Sequence, residues 1–289
     1  MKIQSLSVVV PNKACINDCA FCVSKMHNED YPNKMDCNKP AFDLHLKDYM
    51  RRLEFARDNG CNTVMLTGTS EPQQNRTFLT FFGLFMKLME KPFRTIEMQT
   101  TGVLLDDEYL RFLREHVGVN TISLSLSSLD VEANAKYNGT PTKQRVVISS
   151  LCKKIKEHEF TLRLSLNLTD EFAGLPPKQI FKVARDLGAD QVTFRVLFKS
   201  DNNTPQDKWI EEHACTSETM QNLRTYILEH GKGLEILEFG AIRYSVDGLS
   251  VVIDGDCMSK KDIDRLKYLI LRQDCKLYSR WDDAASLVF

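Results

Sequence analysis

The chain has 289 residues, of which 43% are hydrophobic and 27% are charged, so it can bury a large core in one barrel-sized domain with a small appendage. Its formal net charge is −1 and it has no block of Lys or Arg residues, which makes nucleic acids and anionic membranes poor candidates as partners. The chain opens without a signal peptide and its nine cysteines are an odd number, so we expect a reducing compartment, by default the cytoplasm, rather than a disulfide framework.

Three cysteines, Cys15, Cys19 and Cys22, lie in one short loop after the apolar run Leu6-Ser7-Val8-Val9-Val10-Pro11. Thiolates are soft ligands that select zinc, copper(I) or iron–sulfur clusters. Such close spacing lets a single loop wrap a compact centre without a large loss of chain entropy. The pattern therefore predicts a metal site in this loop.

Zinc is one alternative for this site, with His27 as the fourth tetrahedral ligand. Zinc modules usually take their ligands as two separated pairs, and the sequence offers no second pair after the loop. An iron–sulfur cluster held by only three protein thiolates would instead leave one iron open to a small-molecule ligand. The spacing favours the cluster over zinc.

With the aromatic Phe21 directly before the last cysteine, the loop resembles that of the radical S-adenosylmethionine (radical SAM) enzymes. In that family the open iron chelates the amino and carboxylate groups of SAM. An electron from the reduced cluster then cleaves SAM to methionine and a 5′-deoxyadenosyl radical. The resemblance implies two cofactors, a [4Fe-4S] cluster on Cys15, Cys19 and Cys22 and SAM beside Phe21.

A second motif, Gly68-Thr69-Ser70-Glu71-Pro72, follows the predicted strand 63–67. In the radical SAM family the corresponding strand ends in Gly-Gly-Glu-Pro, whose backbone and Glu contact the amino group of SAM. Thr69 and Ser70 stand here where the family has Gly-Gly, although Ser cannot take a positive φ as cheaply as Gly. The resemblance implies that Gly68, Thr69, Ser70 and Glu71 contact SAM, and an ordinary solvated turn is the alternative.

The later predicted strands, residues 121–127, 160–169 and 191–198, alternate aliphatic or aromatic side chains with polar ones. Helical patterns between the strands indicate parallel crossovers, so the aliphatic face packs on helices and the polar face looks into a lumen. Six strand–helix units can be counted, beginning at Leu6, Thr63, Thr95, Thr121, Phe160 and Gln191. Together with the resemblance, this predicts an α/β fold, a partial (β/α)6 TIM-like barrel.

Further SAM contacts follow from the resemblance, which covers about residues 5–200. The segment 125–130 is similar to the Ser-Leu-Asp-Ser-Leu-Asp of the GTP cyclase of molybdopterin biosynthesis, with Ser127 in place of an Asp. Ser125 then corresponds to a ligand of the SAM carboxylate, and Thr101 lies where relatives end their third strand. Asn167 and Arg195 fall on the inward face and could meet the ribose or carboxylate of SAM. The alternative for each is a plain hydrogen bond in the lumen.

The C-terminal part departs from that cyclase group. We divide the chain into a barrel, residues 1–232, and a small β-rich extension, residues 233–289, which covers the barrel opening. The extension contains a hairpin with an Asp247-Gly248 turn and a second hairpin pairing 267–272 with 276–278. The tail from Tyr278 to Asp283, with Trp281 and Asp282, either contacts the substrate or caps the hydrophobic edge of the barrel.

An auxiliary cluster, which many relatives carry in this region, needs additional closely spaced cysteines. Cys257 and Cys275 alone are too few for a four-thiolate site, so one cluster is predicted. Cys37 is interpreted as a free thiol rather than a further ligand.

The sequence therefore predicts a radical SAM enzyme that abstracts hydrogen from a small-molecule substrate, with nucleotide-like metabolites among the candidates. An external electron donor of the flavodoxin or ferredoxin type is the expected partner. A membrane is not an expected partner, because the most apolar stretch, residues 78–89, is too short to span a bilayer. The alternatives are a peptide-modifying radical SAM enzyme and a non-catalytic iron–sulfur or zinc protein that acts as sensor or scaffold. No catalytic side chain is assigned.

Overall fold

The computed structural model describes residues 2–12, 14–26, 45–254, 261–262, 264–281 and 284–289. Several residues named above lie outside this part of the chain, so their predictions remain without a structural account; they are His27, Cys37, Cys257, Asp282 and Asp283.

Six parallel strands and their helices follow one another along the first 230 residues. The strands are β1 (Lys2–Val9), β2 (Thr63–Thr67), β3 (Thr95–Thr100), β4 (Thr121–Leu126), β5 (Thr161–Asn167) and β6 (Gln191–Arg195). The helices are α1 (Val23–Met26), α2 (Leu46–Asp58), α3 (Arg76–Leu88), α4 (Asp107–Phe112), α5 (Val131–Tyr137), α6 (Ile148–Glu157), α7 (Pro177–Asp186), α8 (Pro205–His213) and α9 (Ser217–His230). The six predicted strand–helix units are confirmed.

The C-terminal extension consists of short strands, β7 (Gly231–Ile236), β8 (Ile242–Val246), β9 (Leu249–Asp254), β10 (Lys261–Asp262), β11 (Arg265–Leu271) and β12 (Leu277–Tyr278). Strands β8 and β9 form the predicted hairpin, with positive φ angles at both turn residues, 49° at Asp247 and 83° at Gly248. Strands β11 and β12 form the second hairpin.

The twelve strands in the described part of the chain belong to one sheet, with the order β10-β11-β1-β2-β3-β4-β5-β6-β9-β8-β7 and β12 paired to β11. Two strands of the extension join the barrel strands in parallel: β11 pairs with β1, and β9 pairs with β6. The extension therefore lengthens the sheet at both of its edges. This confirms the mixed α/β fold with an antiparallel extension, while the domain boundary at residue 232 and the covering of the opening stay predictions.

The two faces of the strands differ as the alternation predicts. Leu162, Leu164 and Leu166 of β5 are fully buried in the core that packs on the helices. The opposite face carries polar rows across the sheet, because the register aligns Ser125, Ser165 and Thr193 on adjacent strands. This polar face forms the lumen.

Among the described helices, none is long and apolar enough to cross a membrane.

Candidate active site

The three loop cysteines follow β1 at the carboxyl end of the strand, where βα-loops build active sites in barrels. Cys15 is exposed and Cys19 and Cys22 are partly buried, and all three are free thiols. Burial raises the pKa of Cys19, and the neighbouring Cys22 and Cys15 raise it further by like-charge repulsion. Three adjacent thiolates are therefore costly until a cation balances their charge, which suits metal ligands.

A single-ion site would need its ligands to converge on one point. The described part of the chain contains no group of three His, Cys, Asp or Glu side chains that could hold one metal ion. The zinc alternative therefore depends on His27, which lies outside that part. An iron–sulfur cluster takes thiolates on different irons, and the donor set of three cysteines on one loop fits such a cluster.

The segment after Glu71 holds one side of the cysteine loop. The Gln74 side chain accepts a hydrogen bond from the amide of Ile16 at 2.8 Å and donates one to the carbonyl of Ala14 at 2.9 Å. The Asn12 side chain donates to the carbonyl of Glu71 at 3.2 Å. These contacts join the loop to the turn that carries Glu71.

The other side of the loop rests on the turn after α5. The amide of Asp18 lies 3.2 Å from the carbonyl oxygens of both Asn138 and Gly139. Gly139 has a φ of 55°, and a Cβ there would lie 2.4 Å from the Asp18 carbonyl oxygen. Only glycine allows this approach, because any other side chain would displace the cysteine loop.

Glu71 is the most informative residue of the site. Its side chain is buried, with 4% of the residue exposed. One carboxylate oxygen, Oε2, accepts hydrogen bonds from the amide and the hydroxyl of Thr101, at 3.0 and 2.7 Å. The other oxygen, Oε1, is buried and has no hydrogen-bond partner among the described residues, and the same holds for the hydroxyl of Ser70. Burying a polar atom without a hydrogen-bond partner costs about 1–3 kcal/mol, unless a bound ligand supplies the partner.

The buried charge of Glu71 would likewise be stabilised by a bound ligand. Burial raises the pKa of Glu71, and the hydrogen bonds that Thr101 donates to it oppose the rise only in part. A cationic group against Oε1 would favour the ionised carboxylate. The site fits the ammonium group of SAM, as the family resemblance implies.

A hydrogen-bonded chain connects Glu71 to the cysteine loop. The Asn17 side chain donates to the Thr101 hydroxyl at 2.7 Å, and this hydroxyl donates to Glu71. The Thr140 hydroxyl donates to the side-chain oxygen Oδ1 of Asn17 at 3.0 Å. Asn17 is 5% exposed, so it fixes the loop from inside the protein.

The substitutions in the second motif are accommodated without strain. Thr69 and Ser70, which replace the two glycines of the family, are not among the residues with positive φ. The carbonyl of Thr69 accepts a hydrogen bond from Ser24 of α1 at 3.4 Å. Gly68 keeps its glycine for space, because a Cβ there would lie 3.1 Å from the carbonyl oxygen of Val10.

Phe21 packs into an aromatic group with residues from α5 and α8. Its ring centroid lies 5.7 Å from that of Trp209, which also contacts Tyr137 at 5.3 Å and stacks on His213 at 4.5 Å. Asp170 binds this group through the Tyr137 hydroxyl at 2.7 Å and His213 Nδ1 at 3.0 Å. Although partial burial opposes it, these two hydrogen bonds lower the pKa of Asp170.

The remaining predicted residues form two sets, Ser127 with Asn167 and Ser125 with Arg195. Ser127 is fully buried, donates to Asn138 at 2.8 Å and accepts from Asn167 at 3.3 Å, so Ser127 and Asn167 join the ends of β4 and β5. Ser125 lies on the polar face of β4, and Arg195 lines a cavity deeper in the lumen. The structure therefore brings Thr101 to Glu71 and holds Ser127 in a structural network. Whether each binds SAM stays a prediction.

Sequence reasoning missed four residues that shape the site: Asn17, Gln74, Gly139 and Trp209. Gln74 follows the second motif at a distance of two residues from Pro72, which is a local signal. Asn17 lies in the cysteine loop itself, and Gly139 and Trp209 contact the loop only through tertiary structure.

Comparisons with known proteins identify the family of the chain. Residues 9–171 match the Radical SAM superfamily. No curated protein matches the chain. The structure of anSMEcpe with bound AdoMet and Cp18Cys peptide has a TM-score of 0.59 at 15% identity, over 98% of this chain and 75% of that chain. HemN, the radical SAM coproporphyrinogen III oxidase from Escherichia coli, has a TM-score of 0.53 at 13% identity.

The match to HemN covers 81% of this chain but 55% of the HemN chain, so this protein spans about half the length of that enzyme. At these identities the two structures show a shared fold, and the family match extends over more than half of the sequence. The likeness to the GTP cyclase of molybdopterin biosynthesis stays a prediction. The chain belongs to the radical SAM superfamily and is an enzyme of that class.

Proposed function

We propose that the protein binds a [4Fe-4S] cluster on Cys15, Cys19 and Cys22 and cleaves SAM reductively beside Glu71. The observation that carries the proposal is the buried Oε1 of Glu71. This oxygen has no hydrogen-bond partner in the described part of the chain, and Glu71 is joined through Thr101 to Asn17 of the cysteine loop. When bound, the cluster supplies the electron that converts SAM to methionine and a 5′-deoxyadenosyl radical.

The protein's own residues bind and orient. Glu71 Oε1 accepts the ammonium group of SAM, while Thr101 holds Oε2 and so sets the direction of the carboxylate. Gln74 and Gly139 hold the two sides of the cysteine loop. Such fixed geometry favours the reactive arrangement and limits contact with water.

A small-molecule substrate in the polar lumen, from which hydrogen is abstracted, is the first candidate. A peptide is the second, because anSMEcpe shares the fold and was solved with one. We expect an external reductant of the flavodoxin or ferredoxin type, and neither membrane nor nucleic acid as partner. The seven described cysteines are all free, which supports a reducing compartment such as the cytoplasm.

The test is anaerobic reconstitution followed by reduction with dithionite in the presence of SAM. We expect 5′-deoxyadenosine to form slowly without any added substrate, and more slowly in Glu71→Gln at limiting SAM. Protein that binds iron and SAM but forms no 5′-deoxyadenosine would be a non-catalytic sensor. Stoichiometric zinc without iron would refute the whole proposal.

The substrate class requires a second observation. Mass spectrometry of ligands released from anaerobically purified protein should detect a small molecule bound in the lumen. Hydrogen transfer from an added peptide, with no effect of small metabolites, would instead favour the peptide candidate.

A further inference from the structure

A polar cavity of about 210 Å3 lies on the lumen side of the sheet, and no residue of the cysteine loop lines it. Strands β5 and β6 contribute Arg163, Gln191 and Arg195 to its wall. Strands β8 and β11 of the extension contribute Arg243 and Lys267. The extension therefore completes a cavity that the barrel strands begin.

The described residues that line this cavity include more cations than carboxylates. Four of them are cationic, Arg163, Arg195, Arg243 and Lys267, and one, Glu97, is a carboxylate. Glu97 already forms an ion pair with Arg163. Arg243 contacts Glu235 outside the cavity at 2.8 Å, with both side chains nearly half exposed. A concave wall with this charge attracts anions.

The cavity is too large and too polar to be a packing defect. At about 210 Å3 it exceeds more than tenfold the roughly 10–15 Å3 that a single buried water requires. The wall includes hydrogen-bonding groups of Gln191, Thr193 and Ser250. Polar and charged groups that converge on one cavity can fix the orientation of a bound ligand.

Arg195 connects the cavity to the candidate active site. It is the last residue of β6 and lies in register beside Asn167, the last residue of β5. A molecule bound along Arg195 would therefore extend from the cavity toward the strand ends, where Glu71 and the cysteine loop lie.

We propose that this cavity binds an oxyanion group, carboxylate or phosphate, of the substrate through Arg195, Arg243 and Lys267. The inference rests on the proposed function in one respect, namely that the bound anion belongs to the molecule that reacts with SAM. It assigns Arg195 to the substrate rather than to the ribose or carboxylate of SAM.

The experiment measures binding of inorganic phosphate and of malonate to the reconstituted holoenzyme by calorimetry, with ionic strength held constant by sodium chloride. We expect at least one of these probes to bind to the wild type. Lys267→Gln and Arg243→Gln should each weaken that binding by about tenfold, since each removes a charge-assisted contact. Lys267→Arg should retain most of it.

Lys182→Gln is the matched control, because Lys182 forms an ion pair with Asp186 on the surface of α7 and does not line the cavity. It should bind the probe as the wild type does. The proposal is overturned if neither probe binds in excess of chloride, or if the three Gln variants bind equally.

The inference and the proposed function can fail separately. Wild-type protein that forms 5′-deoxyadenosine but binds neither probe contradicts the anion site and leaves SAM cleavage in place. Protein that binds a probe through Lys267 and Arg243 but never cleaves SAM supports the anion site and refutes the proposed function.

Discussion

Glu71 and Glu97 are two buried carboxylates of the same barrel, with 4% and 1% of the residue exposed. They differ in the hydrogen-bond partners that the fold provides for their oxygens. Glu97 on β3 has a partner at each oxygen: Arg163 binds Oε2, and the Gln99 amide donates to Oε1 at 3.2 Å. Within the residues that the structure describes, Glu71 has hydrogen-bond partners at Oε2 but none at Oε1. The protein itself neutralises the charge of Glu97, whereas the carboxylate of Glu71 is left for a ligand to neutralise.

The difference shows how a buried charge can be assigned to structure or to ligand binding. A carboxylate with a full set of partners contributes a structural network, whereas one with an open buried oxygen carries an unfavourable free energy that a cationic ligand can remove. Changes at the two glutamates and at the cysteine loop should therefore have different effects.

The largest effect is expected at the cysteines. Cys→Ala at Cys15, Cys19 or Cys22 should abolish iron binding, because each removes one of three protein ligands. Iron and absorbance are measured after anaerobic reconstitution. Cys61→Ala and Cys152→Ala are the controls, since both thiols are buried in the hydrophobic core, and they should retain iron. Retention of full iron in any of the three loop variants would contradict the assignment.

Arg163→Met should have the next largest effect, on stability. It leaves Glu97 buried without its cation, which typically costs about 3–5 kcal/mol of the free energy of unfolding. Denaturant unfolding measures this loss. The double variant Glu97→Leu with Arg163→Met should be less destabilised than the single one, because no charge remains buried. Equal losses would mean that the pair is not coupled.

Glu71→Gln should affect ligand binding rather than folding. It removes a charge-assisted hydrogen bond worth about 1.5–3 kcal/mol, so SAM affinity should fall by about 10- to 150-fold. The free energy of unfolding without SAM should not decrease, since the buried charge is gone. Calorimetry with SAM and denaturant unfolding measure the two quantities. Unchanged SAM affinity would refute the role of Glu71.

The pH dependence of SAM affinity sharpens the same assignment. Because the folded pKa of Glu71 is raised above the ordinary 4.5, its contribution to stability without SAM is present below that value and is lost as pH rises through the folded pKa. SAM requires the carboxylate form, so its affinity should rise with pH over this window, by at most about tenfold per pH unit. Glu71→Gln should flatten this profile, and identical profiles would exclude Glu71 as the titrating group.

Trp209→Ala should have the smallest effect. It removes ring contacts to Phe21, Tyr137 and His213, each worth about 0.5–1.5 kcal/mol beyond area burial, so the cysteine loop should release iron to a chelator faster. Trp281→Ala is the control, because Trp281 packs on Val9, Ile270 and Tyr278. It should reduce thermal stability without changing iron release. Equal release rates would mean that Trp209 does not support the loop.

The Trp281→Ala variant also tests the role of the C-terminal tail. The Tyr278 hydroxyl donates to Asp274 at 2.6 Å and its ring is buried, so this phenol takes part in local packing. Contact of the tail with the substrate stays a prediction. Product formation that survives Trp281→Ala would favour a tail that only caps the sheet.

Much of the fold could be predicted because its signals are local. Strict alternation in β4 and β5 identifies two faces of a strand, and helical periods between strands imply parallel neighbours. The pairing of β11 with β1 could not be predicted. It joins Lys2 to Arg265, and no local pattern specifies a partner at that distance along the chain.

The sequence by itself contained the two motifs that indicate the family, because three cysteines at this spacing and the Glu71-Pro72 turn are properties of short segments. Tertiary structure alone decided what supports them. Gln74, Gly139 and Trp209 reach the cysteine loop across 58 residues or more, and their contacts exist only once the strands bring their carboxyl ends together. The same assembly places Arg243 and Lys267 of the extension beside Arg195 of the barrel, because the extension pairs with both edges of the sheet.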